Sequence, residues 1–588
     1  MENNEIGVAF LIFTGFLMKK RLKAIKALRI FFSFKSRLCF ILIFPLLLGF
    51  QLRAQTGSGR YWIQFKDKKN SPYALDNPQQ FLSQRSIQRR SNQNIICDLT
   101  DLPVNPAYID SITKTGAVIV NRSKWLNAVS IEVSDSYIIN KIVNLPFVEQ
   151  VRKVQKVRSA NKAEEEVFSF NSKAKLYCEP GMDSSNYGNS YNQIKMLSGQ
   201  TLHGSGYKGK GKMIAVLDAG FFGVDTIAAF DSLWHNGRII GTKDYVSGDT
   251  MVFEDNNHGM NVLSVMGGYL PGELIGTAPE ADYLLLRTED AGSESIIEED
   301  NWIAAAEYAD SVGVDIINSS LGYTTFDDST QNHAYADMNG STTPITIGAD
   351  IAASKGILVV NSAGNSGASP WTYIAAPADG FYVLAVGAVN AEGNYAPFSS
   401  KGPSYDGRVK PNVVAQGQGT IIASASGGVF PANGTSFSAP LIAGLAACLW
   451  QSSPVKTASE IFTAIEQSAH LFSHPDALYG YGIPNFNIAS LLISDTFVFT
   501  VPDNDKFLVY PNPFRSSITI ELYTKNEQEM LVEIFDYSGK NIFRKGLSVG
   551  KNDYCRINYN EGENLSSGIY LLHITAPGKR QSFKLVKF

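Results

Sequence analysis

Met213-Ile214-Ala215-Val216-Leu217-Asp218-Ala219-Gly220 is an unbroken apolar run that ends on a carboxylate and a tight turn. A strand with two apolar faces must be covered on both sides, the situation of a mostly parallel sheet with helices on both faces. Four further runs share this character: Tyr283–Leu286, Asp315–Ile317, Ile357–Val360 and Val383–Val386. Helical stretches separate them. The pattern predicts an α/β unit over residues 187–492, a length sufficient for one large core. In open α/β sheets, reactive groups collect at the carboxyl ends of the strands. Asp218 stands at such an end, although an Asp there often only caps a helix or turn.

Two other stretches carry chemistry. His258-Gly259 opens the apolar helical run Met260–Gly267, and Gly259 permits close backbone approach. The other six histidines lack this context. The second stretch is Asn433-Gly434-Thr435-Ser436-Phe437-Ser438-Ala439-Pro440, leading into the apolar segment Leu441–Trp450. Gly434 turns the chain, and Pro440 suits a first helical turn, where its missing N–H costs nothing. Ser436 then lies at a helix N-terminus, where free N–H groups and the dipole favour negative charge. A nucleophile that generates an oxyanion benefits from that place; the ordinary alternative is a plain Ser/Thr cap.

Taken together, Asp218, His258 and Ser436 appear in the order found in the subtilisin-like serine peptidases, and residues from about Gly206 to Asn485 resemble that family. The resemblance extends to Gly276-Thr277-Ala278-Pro279-Glu280, Asn318-Ser319-Ser320-Leu321-Gly322, Asn361-Ser362-Ala363-Gly364-Asn365, and Gly480-Tyr481-Gly482-Ile483-Pro484. It implies an Asp218–His258–Ser436 triad, an oxyanion donor in the Asn365 amide, and pairing of extended substrate with Ser320, Leu321 and Gly322. Two departures stand out. Ala219 replaces the commoner Thr or Ser, and Met260-Asn261 stands where Thr-His is frequent. Neither touches the three catalytic groups. Relatives commonly bind structural Ca²⁺, which the resemblance allows without naming ligands; catalysis itself is expected to need no cofactor.

The flanks read differently. Residues Tyr61–Lys156 show a β-α-β-β-α-β order, with strands at Tyr61–Phe65, Ala117–Val120, Val129–Val133 and Val148–Val154 and helices at Ala107–Thr113 and Asp135–Asn144. This ferredoxin-like α+β layout is similar to the inhibitory propeptides of the family and is expected over residues 55–157, followed by a polar linker at 158–186. The mature enzyme is expected to begin between Arg158 and Tyr187. The pair Arg89-Arg90 reads as solvated surface. After a second linker at 493–506, residues 507–588 alternate as short strands, such as Ile518-Thr519-Ile520-Glu521-Leu522, and predict a small β-sandwich. Val509-Tyr510-Pro511-Asn512-Pro513, Leu565–Tyr570 and Lys584–Lys587 resemble the type IX secretion sorting domain of Bacteroidetes. That resemblance implies the secretion machinery as a partner and a secreted or surface-attached product.

The first 54 residues hold nine Lys/Arg against two Glu, with eight basic residues between Lys19 and Arg37 and the apolar run Leu38–Phe50 after them. Basic region, 13-residue apolar stretch and the small Ala54 describe a leader, with Met18 as the expected start. The run is too short to span a bilayer, so no stable membrane span is expected after cleavage. Beyond the leader, 42 basic face 53 acidic side chains, which excludes a nucleic-acid binder on charge. The remaining cysteines, 97, 178, 448 and 555, form no CxxC pair. Metal and redox sites therefore lack a motif, although Cys97 and Cys178 leave a disulfide open. Cys448 reads as a buried small apolar residue. The expected substrates are proteins or peptides; the competing reading is an idle fold used for surface binding, against which Asp218, His258, Ser436 and Asn365 are all intact.

Overall fold

The computed structural model describes residues 59–156, 184–494 and 505–587. The leader, most of both linkers and Cys178 lie outside the described residues. The N-terminal domain contains strand β1 (Gly59–Phe65), helices α1 (Gln84–Asn92) and α2 (Pro106–Thr113), strands β2 (Val118–Ser123) and β3 (Ala128–Val133), helix α3 (Ser136–Ile142) and strand β4 (Val148–Lys156). The strands pair in the order β2-β3-β1-β4, all antiparallel. The expected order is present, with one helix added. Helix α1 is capped by Ser83, whose side chain accepts the Ser86 N–H.

This added helix corrects the reading of Arg89 and Arg90, because both are buried. Arg89 Nη2 donates to Asp310 Oδ1 at 2.7 Å, and Arg90 Nη2 to Asp310 Oδ2 and Asp101 Oδ1 at 2.8 Å each. Asp310 lies about 220 positions further along the chain, beyond the reach of local pattern. Buried charges persist only when paired in this way.

The central sheet has seven strands: β5 (Met213–Asp218), β6 (Ile239–Asp244), β7 (Asp282–Arg287), β8 (Ile316–Ser319), β9 (Leu358–Ser362), β10 (Val383–Val389) and β11 (Val413–Gln416). Their order is β11-β10-β9-β8-β5-β7-β6, and all six pairings are parallel. Helices α4 (His258–Gly267), α5 (Ile297–Val312), α6 (Pro344–Ser354) and α7 (Thr435–Ser452) cover it. Ile214 and Val216 of β5 enter a core with α4 and α7, whereas Met213, Ala215 and Leu217 enter a second core with α5 and α6. Burying one such side chain stabilises by about 1.5–3 kcal/mol, which explains a strand without polar alternation. Trp62, Trp125, Ala128 and Val154 of the N-terminal domain join the second core. That domain is therefore packed against the α5 face by apolar area as well as by ion pairs.

Strands at Lys506–Tyr510, Ile518–Thr524 and Asp553–Tyr559 form one C-terminal sheet, and those at Gln528–Phe535, Asn541–Val549, Gly568–Ala576 and Lys579–Lys587 form a second. Ile518, Ile520 and Leu522 share one apolar core with Val532, Ile534, Leu572 and Ile574 of the other sheet, as in a sandwich. Asn485 and Asn487 donate to Asp553 and to the Tyr554 carbonyl, tying the sandwich to the end of the central domain. Among the described residues, no helix is long and apolar enough to cross a membrane.

Candidate active site

Asp218 ends β5, the strand flanked by β7 and β8, and its side chain is buried. Its Oδ1 accepts the Ala219 N–H at 2.8 Å and faces His258 Nδ1 at 2.7 Å. A nitrogen opposite a carboxylate carries the proton, so Nε2 is left as the basic nitrogen. His258 is the first residue of α4, and its own N–H donates to Asn256 Oδ1 at 2.7 Å. The two elements meet closely only because Gly259 has no side chain. A Cβ there would lie 2.5 Å from the Gly220 carbonyl oxygen and 2.9 Å from Asp218 Cβ. Met260 points into the core, so the departure at this position changes packing rather than the pair.

Burial works against a charged His258 ring, but the Asp218 charge and hydrogen bond, with the Glu289 charge, outweigh it. The net effect raises its pKa above the ordinary imidazole value.

Helix α7 brings Ser436 to the same edge. Its first residue follows Gly434, whose φ of 154° suits glycine, and the Phe437 ring lies 6.1 Å from the His258 ring. Pro440 falls in the second turn of this helix, not the first, because the helix already starts at Thr435. Proline there cannot donate to the carbonyl four residues earlier, which is that of Ser436. The Ser320 hydroxyl supplies the missing donor at 2.9 Å, and the Ser436 hydroxyl donates in return to the Ser320 carbonyl at 3.4 Å.

Asn365 follows β9. Its Oδ1 accepts from both the Thr435 N–H and the Thr435 hydroxyl at 2.9 Å. Two donors fix which end of the amide is oxygen, and the NH₂ faces the other way. Leu321 is held by its carbonyl, which accepts from Asn361 Nδ2 at 3.0 Å, while Gly322 is exposed. The structure thus gathers Asp218, His258, Ser436, Asn365 and the segment Ser320–Gly322 at the carboxyl edge of β5, β8 and β9.

Two residues escaped the sequence reading. Thr435 orients Asn365, a role its place beside Ser436 could have signalled. Glu289, two residues beyond β7, stands half-buried near the Asp218–His258 pair and receives the Tyr323 hydroxyl at 3.4 Å. Burial, with the Glu294 and Asp218 charges, pushes its carboxyl up to about 8. The Glu-Asp pair Glu289-Asp290 looks like any polar turn in sequence. Among the described residues, no group of three or more His, Cys, Asp or Glu is placed to hold a metal ion.

Comparisons with known proteins agree with this arrangement. Residues 60–167 match the Peptidase S8 propeptide domain of Bacteroidota, residues 209–482 the subtilase family, and residues 508–587 the secretion system C-terminal sorting domain. Subtilisin E of Bacillus subtilis is 30% identical over 302 residues, covering 50% of this chain and 70% of that protein. The serine protease AprX of the same organism is 30% identical over 318 residues, covering 49% and 67%. A thermostable alkaline protease of Halalkalibacterium halodurans is 30% identical over 292 residues, covering 49% and 70%. The sorting domain marks the chain for type IX secretion and the cell surface. With that domain behind it and a propeptide ahead of it, the chain belongs to the subtilase family and is a secreted serine endopeptidase made as a zymogen.

Proposed function

We propose that Ser436, His258 and Asp218 divide the work of peptide-bond hydrolysis among them. The Ser436 hydroxyl attacks the scissile carbonyl carbon as His258 Nε2 takes its proton; a serine is a weak nucleophile without such a base. The C–N bond then breaks, His258 returns the proton to the leaving amine, and an acyl-enzyme on Ser436 Oγ remains. Water repeats the sequence and releases the acid. Asp218 holds the imidazole in the tautomer that leaves Nε2 free and stabilises the imidazolium. The oxyanion takes hydrogen bonds from the Asn365 NH₂ and the Ser436 N–H, a contribution of about 2.7–4 kcal/mol for one such donor. Ser320–Gly322 receives the substrate as an added strand. All of the chemistry comes from side chains and backbone donors, with no metal required. The observation that carries this reading is the 2.7 Å His258–Asp218 contact at the sheet edge, beside the start of α7.

The same reading gives roles to the flanks. Residues 55–157 act as the inhibitory propeptide, the mature enzyme starts between Arg158 and Tyr187, and residues 507–588 are recognised by the type IX machinery. The test uses purified full-length chain and its Ser436→Ala variant, following chain length and labelling by a fluorophosphonate. Maturation and labelling of the wild type alone support the assignment. Absence of label after the propeptide has been removed by another protease would sink it.

A further inference from the structure

The carboxylates around α5 share a rule that Glu289 breaks. Asp310 meets three cations, Glu307 accepts two backbone N–H groups and a hydroxyl, and Glu298 accepts the N–H groups of Asp290 and Ser295. Glu289 bonds only to the Tyr323 hydroxyl among the described residues, and that contact is a long 3.4 Å. A carboxylate withdrawn from water without a cation is costly. Its place in the sheet explains why that cost is tolerated. Asp218 is in register with Arg287 on one side, and Leu217 with Ser319 on the other. Glu289 therefore follows the strand on one flank of Asp218, and Ser320–Tyr323 follows the strand on the other. The Thr288 N–H donates to the Asp218 carbonyl at 3.0 Å, and the Tyr323 N–H to the Ala376 carbonyl at 2.9 Å. The Glu289–Tyr323 contact thus joins the segments that follow the two strands flanking Asp218.

We propose that Glu289 selects a basic side chain, lysine or arginine, in the part of the substrate that pairs with Ser320–Gly322. The inference rests on the assignment of Asp218, His258 and Ser436 as the reacting groups. A substrate cation would supply the partner that the fold withholds, and the Tyr323 hydroxyl would steady the carboxylate. Burial, with the Glu294 and Asp218 charges, raises the Glu289 pKa, and the His258 charge and the Tyr323 hydroxyl offset this only in part.

The test is a peptide series of one sequence in which lysine or its neutral isostere norleucine occupies each position around the cleaved bond. The readout is the lysine-to-norleucine ratio of kcat/KM, taken on one enzyme preparation so that the folded fraction cancels. The wild type should favour lysine at one position by about tenfold or more, the scale of a close charge pair, and the ratio should rise with pH up to about 8, where Glu289 becomes ionised. Glu289→Gln should bring the ratio near one, and Glu289→Lys should turn the preference toward glutamate at that position. A wild type that cuts every peptide without regard to charge, or a preference that survives in Glu289→Gln, overturns the inference. A wild type that neither cuts nor takes a fluorophosphonate label overturns the triad assignment itself.

Discussion

The Ser320 hydroxyl donates to the Ser436 backbone carbonyl across 2.9 Å, the bond that Pro440 cannot make within its own helix. The residue that begins the segment proposed to pair with substrate therefore also holds the first turn that carries Ser436, the proposed nucleophile. Ser320 and Ser436 are positioned as one piece.

Ser320→Ala should expose this dependence. The buried Ser436 carbonyl would lose its donor, at a cost of about 1–3 kcal/mol. The expected result is a lower melting temperature in the inactive Ser436→Ala background and, in the active enzyme, a fall in kcat larger than any rise in KM. An unchanged melting temperature would show that water or another group replaces the hydroxyl.

Asn365 and Thr435 make a graded pair. Asn365→Ala removes an oxyanion donor and should lower kcat by about 10²–10³. Thr435→Val keeps the N–H to Asn365 Oδ1 but deletes the hydroxyl, one of the two bonds that orient the amide. Its loss should be smaller, about 3- to 10-fold in kcat at constant KM. If Thr435→Val matched Asn365→Ala, the hydroxyl would be acting on Ser436 rather than through the amide.

The pH–rate profile follows from the direction of the His258 shift. His258 must be neutral to accept the serine proton, so activity falls as pH drops through its pKa. Because the Asp218 charge and hydrogen bond raise that pKa despite burial, the acid limb should lie above the ordinary imidazole value of about 6.5. Asp218→Asn should move the limb to lower pH and reduce kcat by about 10⁴. A limb that stays in place would mean that some other group controls it.

The sequence disclosed the three strand-end and helix-start motifs because each is built from contiguous residues with a local physical reason: an apolar strand ended by Asp218, a glycine after His258, a glycine before Thr435. The sandwich and the N-terminal domain were legible for the same reason, through alternation in runs such as Ile518–Leu522. What stayed hidden depends on distant partners. Helix α1 has few apolar residues and is held by Asp310, Asp315 and the Val314 carbonyl. Strand β6 carries Gly241, Thr242 and Lys243 on a half-exposed sheet edge, so it lacks the apolar signature of the strands inside. Glu289 is meaningful only because two neighbouring strands end beside Asp218.

Arg90 tests the propeptide anchor. Its guanidinium bridges Asp101 of its own domain and Asp310 of α5. Arg90→Ala would leave buried carboxylates short of a cation, a change that typically costs about 3–5 kcal/mol. The expected outcome is a lower yield of folded zymogen and a propeptide that separates more readily after processing. Equal yield and retention on gel filtration would show that Arg89, Lys124 and Lys355 suffice.

Propeptide retention should also depend on pH, through the carboxylates it covers. Asp300 bonds to Ser130 at 2.9 Å with Arg152 at 3.5 Å, and Glu307 accepts from Ser123, Lys124 and Trp125. Burial pushes both up to about 7. Once the propeptide leaves, the face of α5 opens to water and both return toward the ordinary carboxylate range near 4. Their pKa values are thus higher in the bound state, so the proton-linked part of binding is full below about pH 4 and is lost as pH rises through 7. Asp310 has the opposite sign, since Lys124, Arg89 and Arg90 outweigh its burial and lower it; its contribution is lost only in acid, outside this window. Between pH 6 and 8 retention should therefore weaken, by about tenfold for each of the two groups. Gel filtration of the processed enzyme at the two pH values measures it, and the double variant Asp300→Asn, Glu307→Gln should flatten the dependence. A dependence equally steep in the double variant would assign it to other groups at the interface.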